Sequence, residues 1–160
     1  INKLHYRIME KKILLLLVFI LINSCGYQSI YSKKNQIELS VSKIEKSGDK
    51  ILNKKIISQI PFNLNDNSNK VLVIDTQKQL DSISKDKAGN TKIYNLTITS
   101  KVSLKNKDKI INSKNFTSSF SYNNISNKFD LEQYGRNIEQ NLTNKIAEEI
   151  SIFFVSINDN

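Results

Sequence analysis

Apolar residues fall along this chain in several patterns, each with its own period. From Ile13 to Ile22 ten consecutive positions are apolar. Ile37, Leu39 and Val41 then alternate with Glu38, Ser40 and Ser42, the period of two expected of a strand with one covered face. Behind Ser47-Gly48-Asp49, which offers a helix N-cap, Leu52, Ile56 and Ile60 recur every four residues, so a short amphipathic helix stopped by Pro61 is predicted. A polar connector over 63–69 leads to the continuous apolar run Val71-Leu72-Val73-Ile74, the signature of a more fully buried strand. The segment from Asp81 to Asn90 reads as a charged loop ending in Gly89-Asn90.

The longest alternation begins at Tyr94. Even positions Leu96, Ile98, Val102 and Leu104 are apolar, and odd positions Asn95, Thr97, Thr99, Lys101 and Ser103 are polar. The turn Asn106-Lys107-Asp108 leads back into a second strand, with Phe116, Phe120 and Tyr122 on the even face and Thr117, Ser119 and Ser121 opposite. This is a long hairpin whose polar face is rich in hydroxyls and poor in charge, as suits a surface packed against something other than bulk water. Finally, Leu131, Gly135, Ile138, Leu142, Ile146, Ile150, Phe153 and Ile157 hold the three-four spacing of one helical face for about seven turns. The order predicts an α+β domain: a four-stranded, mostly antiparallel sheet with two helices packed on one face.

The run at 13–22 belongs to a different category. A bilayer span needs roughly twenty apolar residues, so ten are too few. Lys11 and Lys12 before the run and small residues after it match a secretory signal. The expected organisation is an upstream extension over 1–8, before the sole methionine Met9; a signal over 9–24; a polar tether over 25–36; and the α+β domain over 37–160. Cys25 is the sole cysteine, so an intrachain disulfide is excluded, and one thiol with one histidine serves a metal poorly. Ile22-Asn23-Ser24-Cys25 resembles the lipobox of bacterial lipoproteins. That resemblance implies acylation of Cys25 and a membrane anchor, stable where two or more chains are attached.

Charge and chemistry narrow the function classes. The formal charge is +9; Lys3, Arg7, Lys11, Lys12 and Glu10 precede Cys25, which leaves +6 on the exported part. A basic surface serves nucleic acid, an anionic membrane or a phosphorylated ligand, and export removes nucleic acid from that set. The only histidine, His5, lies before Met9, so the exported part has no histidine for general-base catalysis. No Gly-x-Ser-x-Gly elbow and no Gly-rich phosphate loop occurs. Glu148-Glu149 is the one paired carboxylate, and adjacent residues of a helix do not face each other. The expectation is a non-enzymatic protein with no metal and no cofactor beyond a covalent lipid on Cys25.

Taken in order, Cys25-Gly26-Tyr27-Gln28 after a lipobox, a Gly turn leading into Tyr94-Asn95-Leu96-Thr97-Ile98-Thr99, the strand from Phe116 to Tyr122 and a long closing helix resemble the lipopolysaccharide-assembly lipoprotein family LptE, over essentially all of residues 25–157. The resemblance implies an outer-membrane lipoprotein on the periplasmic side that plugs the β-barrel LptD, binds lipopolysaccharide and assists its assembly. It also implies two lipopolysaccharide-binding positions, Lys87 in Lys87-Ala88-Gly89-Asn90 and Lys128 in Asn127-Lys128-Phe129. Lysine at position 87 stands where the family pattern has arginine, so a point charge replaces a bidentate fork, and Lys85 is a neighbouring substitute. An alternative of another class stays open: an auxiliary lipoprotein of an ABC-type lipid transport system, or a lipoprotein scaffold.

Overall fold

The structure is a computed structural model and describes residues 39–158. Its elements run β1 (Ser40–Val41), β2 (Lys43–Gly48), α1 (Lys50–Ile57), β3 (Asn63–Leu64), β4 (Lys70–Lys85), β5 (Thr91–Asn106), β6 (Lys109–Asn123) and α2 (Lys128–Asn158). The main sheet has the order β2-β4-β5-β6, and β1 pairs with β3 in a small parallel ribbon. Within the main sheet only β2–β4 is parallel; β4–β5 and β5–β6 are antiparallel. The expected four-stranded, mostly antiparallel α+β architecture is the one found. The parallel pair requires a crossover, and α1 supplies it.

The core follows from the alternation. Leu39, Val41, Leu72, Ile74, Leu96, Ile98, Val102, Leu104 and Phe116 point inward, where they meet Leu52 and Ile56 of α1 and Ile138, Leu142, Ile146 and Ile150 of α2 in one buried cluster. Burying each such aliphatic side chain contributes about 1.5–3 kcal/mol, enough for this layer to hold both helices on one face of the sheet. Few polar side chains enter the layer: Thr76 and Ser100, both fully buried, share a hydrogen bond of 3.0 Å across β4 and β5. The buried Asn53 side-chain amide donates to the Ser47 carbonyl at 2.6 Å, while its Oδ1 has no partner among the described residues.

Local signals place α1. The Asp49 carboxylate accepts from the N–H groups of Ile51 and Leu52 at 2.9 and 3.0 Å, an N-cap as the sequence predicts. The helix ends at Ile57, short of Pro61, and Ile60 is buried beyond its end. Gly48, at φ +76°, lets the backbone of β2 run against Thr76: an added Cβ would sit 2.1 Å from the Thr76 carbonyl oxygen, and Asp49 N–H donates to that same oxygen at 2.7 Å.

Several sequence expectations are corrected. The strand expected from the alternation over 37–42 is present among the described residues only as β1, in the small ribbon, and the edge strand of the main sheet is instead β2, which lacks that alternation. The loop expected over Asp81–Asn90 is strand as far as Lys85; pairing with β5 from Gln79↔Thr97 to Lys85↔Thr91 overrides its polar side chains, and only the turn 86–90 remains. The connector over 63–69 contains β3, whose backbone bonds to Leu39 and Val41. Val71 and Val73 are half-buried, since helices cover one face of β4 rather than two. Phe120 shares a face with the buried Leu96 opposite it yet is 47 % exposed, because β6 is the sheet edge and α2 leaves that row open. On α2 the predicted stripe is inward, but Thr143, Ala147 and Phe154 are buried as well, so the helix packs two ridges rather than one. Cys25, with the signal and the tether, lies outside the described residues.

Candidate functional site

Two surfaces are built by this fold, an end and a face. The end is formed where the β4–β5 turn meets the β6–α2 connection. The turn is closed by Asp86, whose carboxylate accepts from Ala88 N–H at 2.9 Å, Asn90 N–H at 2.8 Å and the Asn90 side-chain amide at 3.1 Å. The Asn90 side chain, followed by the Asn90 and Ala88 backbone N–H groups, holds the Asp86 carboxyl below its ordinary value. Gly89 takes the left-handed conformation, φ +85°, that closes the turn, with Lys87 exposed in its middle.

Across from the turn, Asn124 donates its backbone N–H to the Lys92 carbonyl and its side-chain amide to the Thr91 carbonyl, both at 2.8 Å. These bonds hold the connection against β5. Asn127 then caps α2, its Oδ1 accepting from Phe129 N–H at 3.0 Å, and Lys128 is the exposed first residue of the helix. A cation there opposes the helix dipole, so helix stability gives no reason for a lysine at this position, whereas an anion would be favoured by lysine and helix end alike. Lys87 and Lys128, distant in sequence, are thus brought to the same end of the sheet.

Between the two loops lies an open cleft of about 560 Å³, lined on one side by Ser84, Asp86 and Asn90 and on the other by Asn123, Asn124 and Ser126, with Lys92 and Ile93 between them. Lys92 lines it, whereas Lys87 and Lys128 lie on the flanking turn and helix. Sequence reasoning missed Lys92. Its signal was present, since it directly follows the Gly89-Asn90 turn and opens the alternating strand.

The face is the side of the sheet away from the helices. In the β5–β6 register Asn95 opposes Ser121, Thr97 opposes Ser119, Thr99 opposes Thr117 and Ser103 opposes Ser113. Many of these groups pair with each other: Ser121 Oγ donates to Asn95 Oδ1 at 2.9 Å, Asn95 Nδ2 to Thr97 Oγ1 at 3.1 Å, and the Thr99–Thr117 and Ser103–Ser113 hydroxyls lie 3.3 and 2.8 Å apart. The hydroxyls form a hydrogen-bonded lattice, interrupted by the exposed Lys101, which stands opposite Asn115 on β6 and Asp75 on β4. An ionic cluster lies toward the other edge, where Glu45 meets Lys43 at 2.7 Å and Lys105 at 3.5 Å.

No family model and no curated protein sequence matches the chain. Its backbone does resemble solved structures. A minor lipoprotein from Acinetobacter baumannii aligns with a TM-score of 0.57 at 13% identity, covering 75% of this chain and 95% of that one. The rare lipoprotein B of Shewanella oneidensis aligns at 0.52 and 13% identity, with 72% and 98% coverage. Lipoprotein B of Nitrosomonas europaea aligns at 0.52 and 10% identity, with 73% and 86% coverage. The fold is therefore one shared with small bacterial lipoproteins of the rare lipoprotein B type. At these identities the likeness concerns the fold.

Proposed function

We propose that this protein is a non-enzymatic lipoprotein of the outer membrane, anchored through acylated Cys25, that docks its polar sheet face into an LptD-like β-barrel and binds lipopolysaccharide with Lys87 and Lys128. The observation that carries the reading is the convergence of those two lysines: the sequence resemblance singled them out from separate segments, and the topology places their loops together at one end. The hydroxyl-rich part of the face, over β5 and β6, supports the docking role, because a barrel lumen is itself lined with polar groups, and hydroxyls meet such a lining at less desolvation cost than charges do. The neighbours support the class, rare lipoprotein B being another name for LptE.

Lipid A and the inner core carry phosphates and carboxylates, which an ammonium pairs with directly. Lys87→Glu with Lys128→Glu is expected to weaken binding to purified lipopolysaccharide at least tenfold, with the loss shrinking at high salt as exposed charges are screened. The control pair is Lys54→Glu with Lys145→Glu, both exposed on the helices; Lys55 is unsuitable because it is bonded to Glu139. Equal losses in both pairs would replace a site with general basicity.

A further inference from the structure

The end that carries the lysines also exposes large apolar side chains that the core does not use. Ile83, 55 % exposed, lies between Ser82 and Ser84, where the β4–β5 register slips; Ile125, 36 % exposed, stands in the β6–α2 connection; and Phe129, 66 % exposed, lies in the first turn of α2. A register slip of this kind re-aims side chains near it. The two bonds from Asn124 to the Thr91 and Lys92 carbonyls keep all three residues at one end of the molecule. Single exposed apolar residues are ordinary on protein surfaces, but a group of them at one end, beside four exposed lysines, is not. Those lysines are Lys85, Lys87, Lys92 and Lys128; the acids in the same segments are Asp86, committed to its own turn, Asp81, bonded to the Gln79 amide, Glu132, paired with Arg136, and Asp130.

The combination selects its ligand. An anionic but purely polar ligand would leave Ile83, Ile125 and Phe129 in water, and an uncharged apolar partner would leave the lysines unanswered. A ligand that is anionic and apolar at adjacent points satisfies both sets, which is the composition of the boundary between lipid headgroups and acyl chains. We infer that Ile83, Ile125 and Phe129 form an acyl-contacting surface that engages the hydrocarbon of an anionic, acylated lipid while the surrounding lysines hold its phosphates. This inference rests on the lipopolysaccharide reading above and adds a second determinant, separable from charge.

The test compares the purified full chain's binding to intact lipopolysaccharide and to the same material stripped of its acyl chains. The wild type should bind the intact form at least tenfold more tightly. Ile83→Ser, Ile125→Ser and Phe129→Ser combined should abolish that preference while leaving binding to the deacylated form unchanged. Ile83→Val, Ile125→Val and Phe129→Leu combined, which changes the same three positions but keeps them apolar, should retain the preference, and its loss there too would overturn the acyl surface. If the wild type binds both forms equally, or the triple serine variant keeps the preference, the acyl surface is overturned while the lysine reading stands. If the wild type binds neither form, the lipopolysaccharide reading itself falls, and the inference with it.

Discussion

At the scale of single residues, two glycines with the same backbone conformation should behave differently. Gly48 and Gly89 both have φ near +80°, but a Cβ on Gly48 would meet the Thr76 carbonyl oxygen at 2.1 Å, whereas one on Gly89 would meet nothing within 4 Å. Gly89→Ala should therefore cost only the left-handed backbone penalty, about 1–2 kcal/mol. Gly48→Ala should add an overpacking cost of about 1–3 kcal/mol to that penalty, because the neighbour is main chain and cannot swing away. Chemical denaturation of both variants checks the ordering, and equal destabilisation would contradict it. The sequence showed that Gly48 precedes a cap and that Gly89 closes a turn, since glycine beside Asp or Asn is a local signal. It did not show that Gly48 lies against Thr76, because that contact depends on β2 pairing with β4. The candidate site was legible to a similar extent: the sequence resemblance supplied Lys87 and Lys128 as candidates, whereas Lys92 and the exposed Ile125 and Phe129 became visible only once both loops stood at one end.

Among the elements, legibility followed how many faces each one has covered. β5 and β6 announced themselves because one face is apolar and the other hydroxylated, so the period of two survives in the sequence. The far half of β4 did not, since Gln77, Gln79, Asp81, Ser82 and Ser84 are polar on both sides, and the strand exists because β5 offers it a partner. The helices are tied to that half of β4 by one carboxylate. Glu139 on α2 receives Lys55 of α1 at 3.1 Å and Lys78 of β4 at 3.0 Å. Burial alone would raise its pKa, but the hydrogen bonds and charges of Lys78 and Lys55 outweigh that and hold it below the ordinary 4.5. A carboxylate lowered on folding stabilises the fold above its unfolded value and loses that contribution as pH falls through the folded one. Thermal stability should therefore decline below about pH 4.5 more steeply in the wild type than in Glu139→Gln, which should already be about 1–2 kcal/mol less stable at neutral pH. Parallel pH profiles for the two proteins would remove Glu139 from this role. The Lys78 ammonium, raised mainly by the Glu139 hydrogen bond, gives the opposite limb: its contribution is present below 10.5 and lost as pH rises through the folded value.

For the whole molecule, the proposed function gives separate surfaces separate tasks: a helical layer that stabilises, a hydroxyl-rich sheet face that docks, and a basic, partly apolar end that meets lipid. That proposal requires the sheet face to lie inside a barrel. The most direct measurement is photo-crosslinking in native outer membranes, with the reactive side chain placed in turn at Thr97, at Ser119 and, as a control on the exposed side of α2, at Ile152. Thr97 and Ser119 are expected to crosslink in high yield to one large outer-membrane β-barrel protein, and Ile152 far less. Crosslinks from Thr97 and Ser119 to the ATPase or permease of a transporter, or to no β-barrel at all, would contradict the proposal.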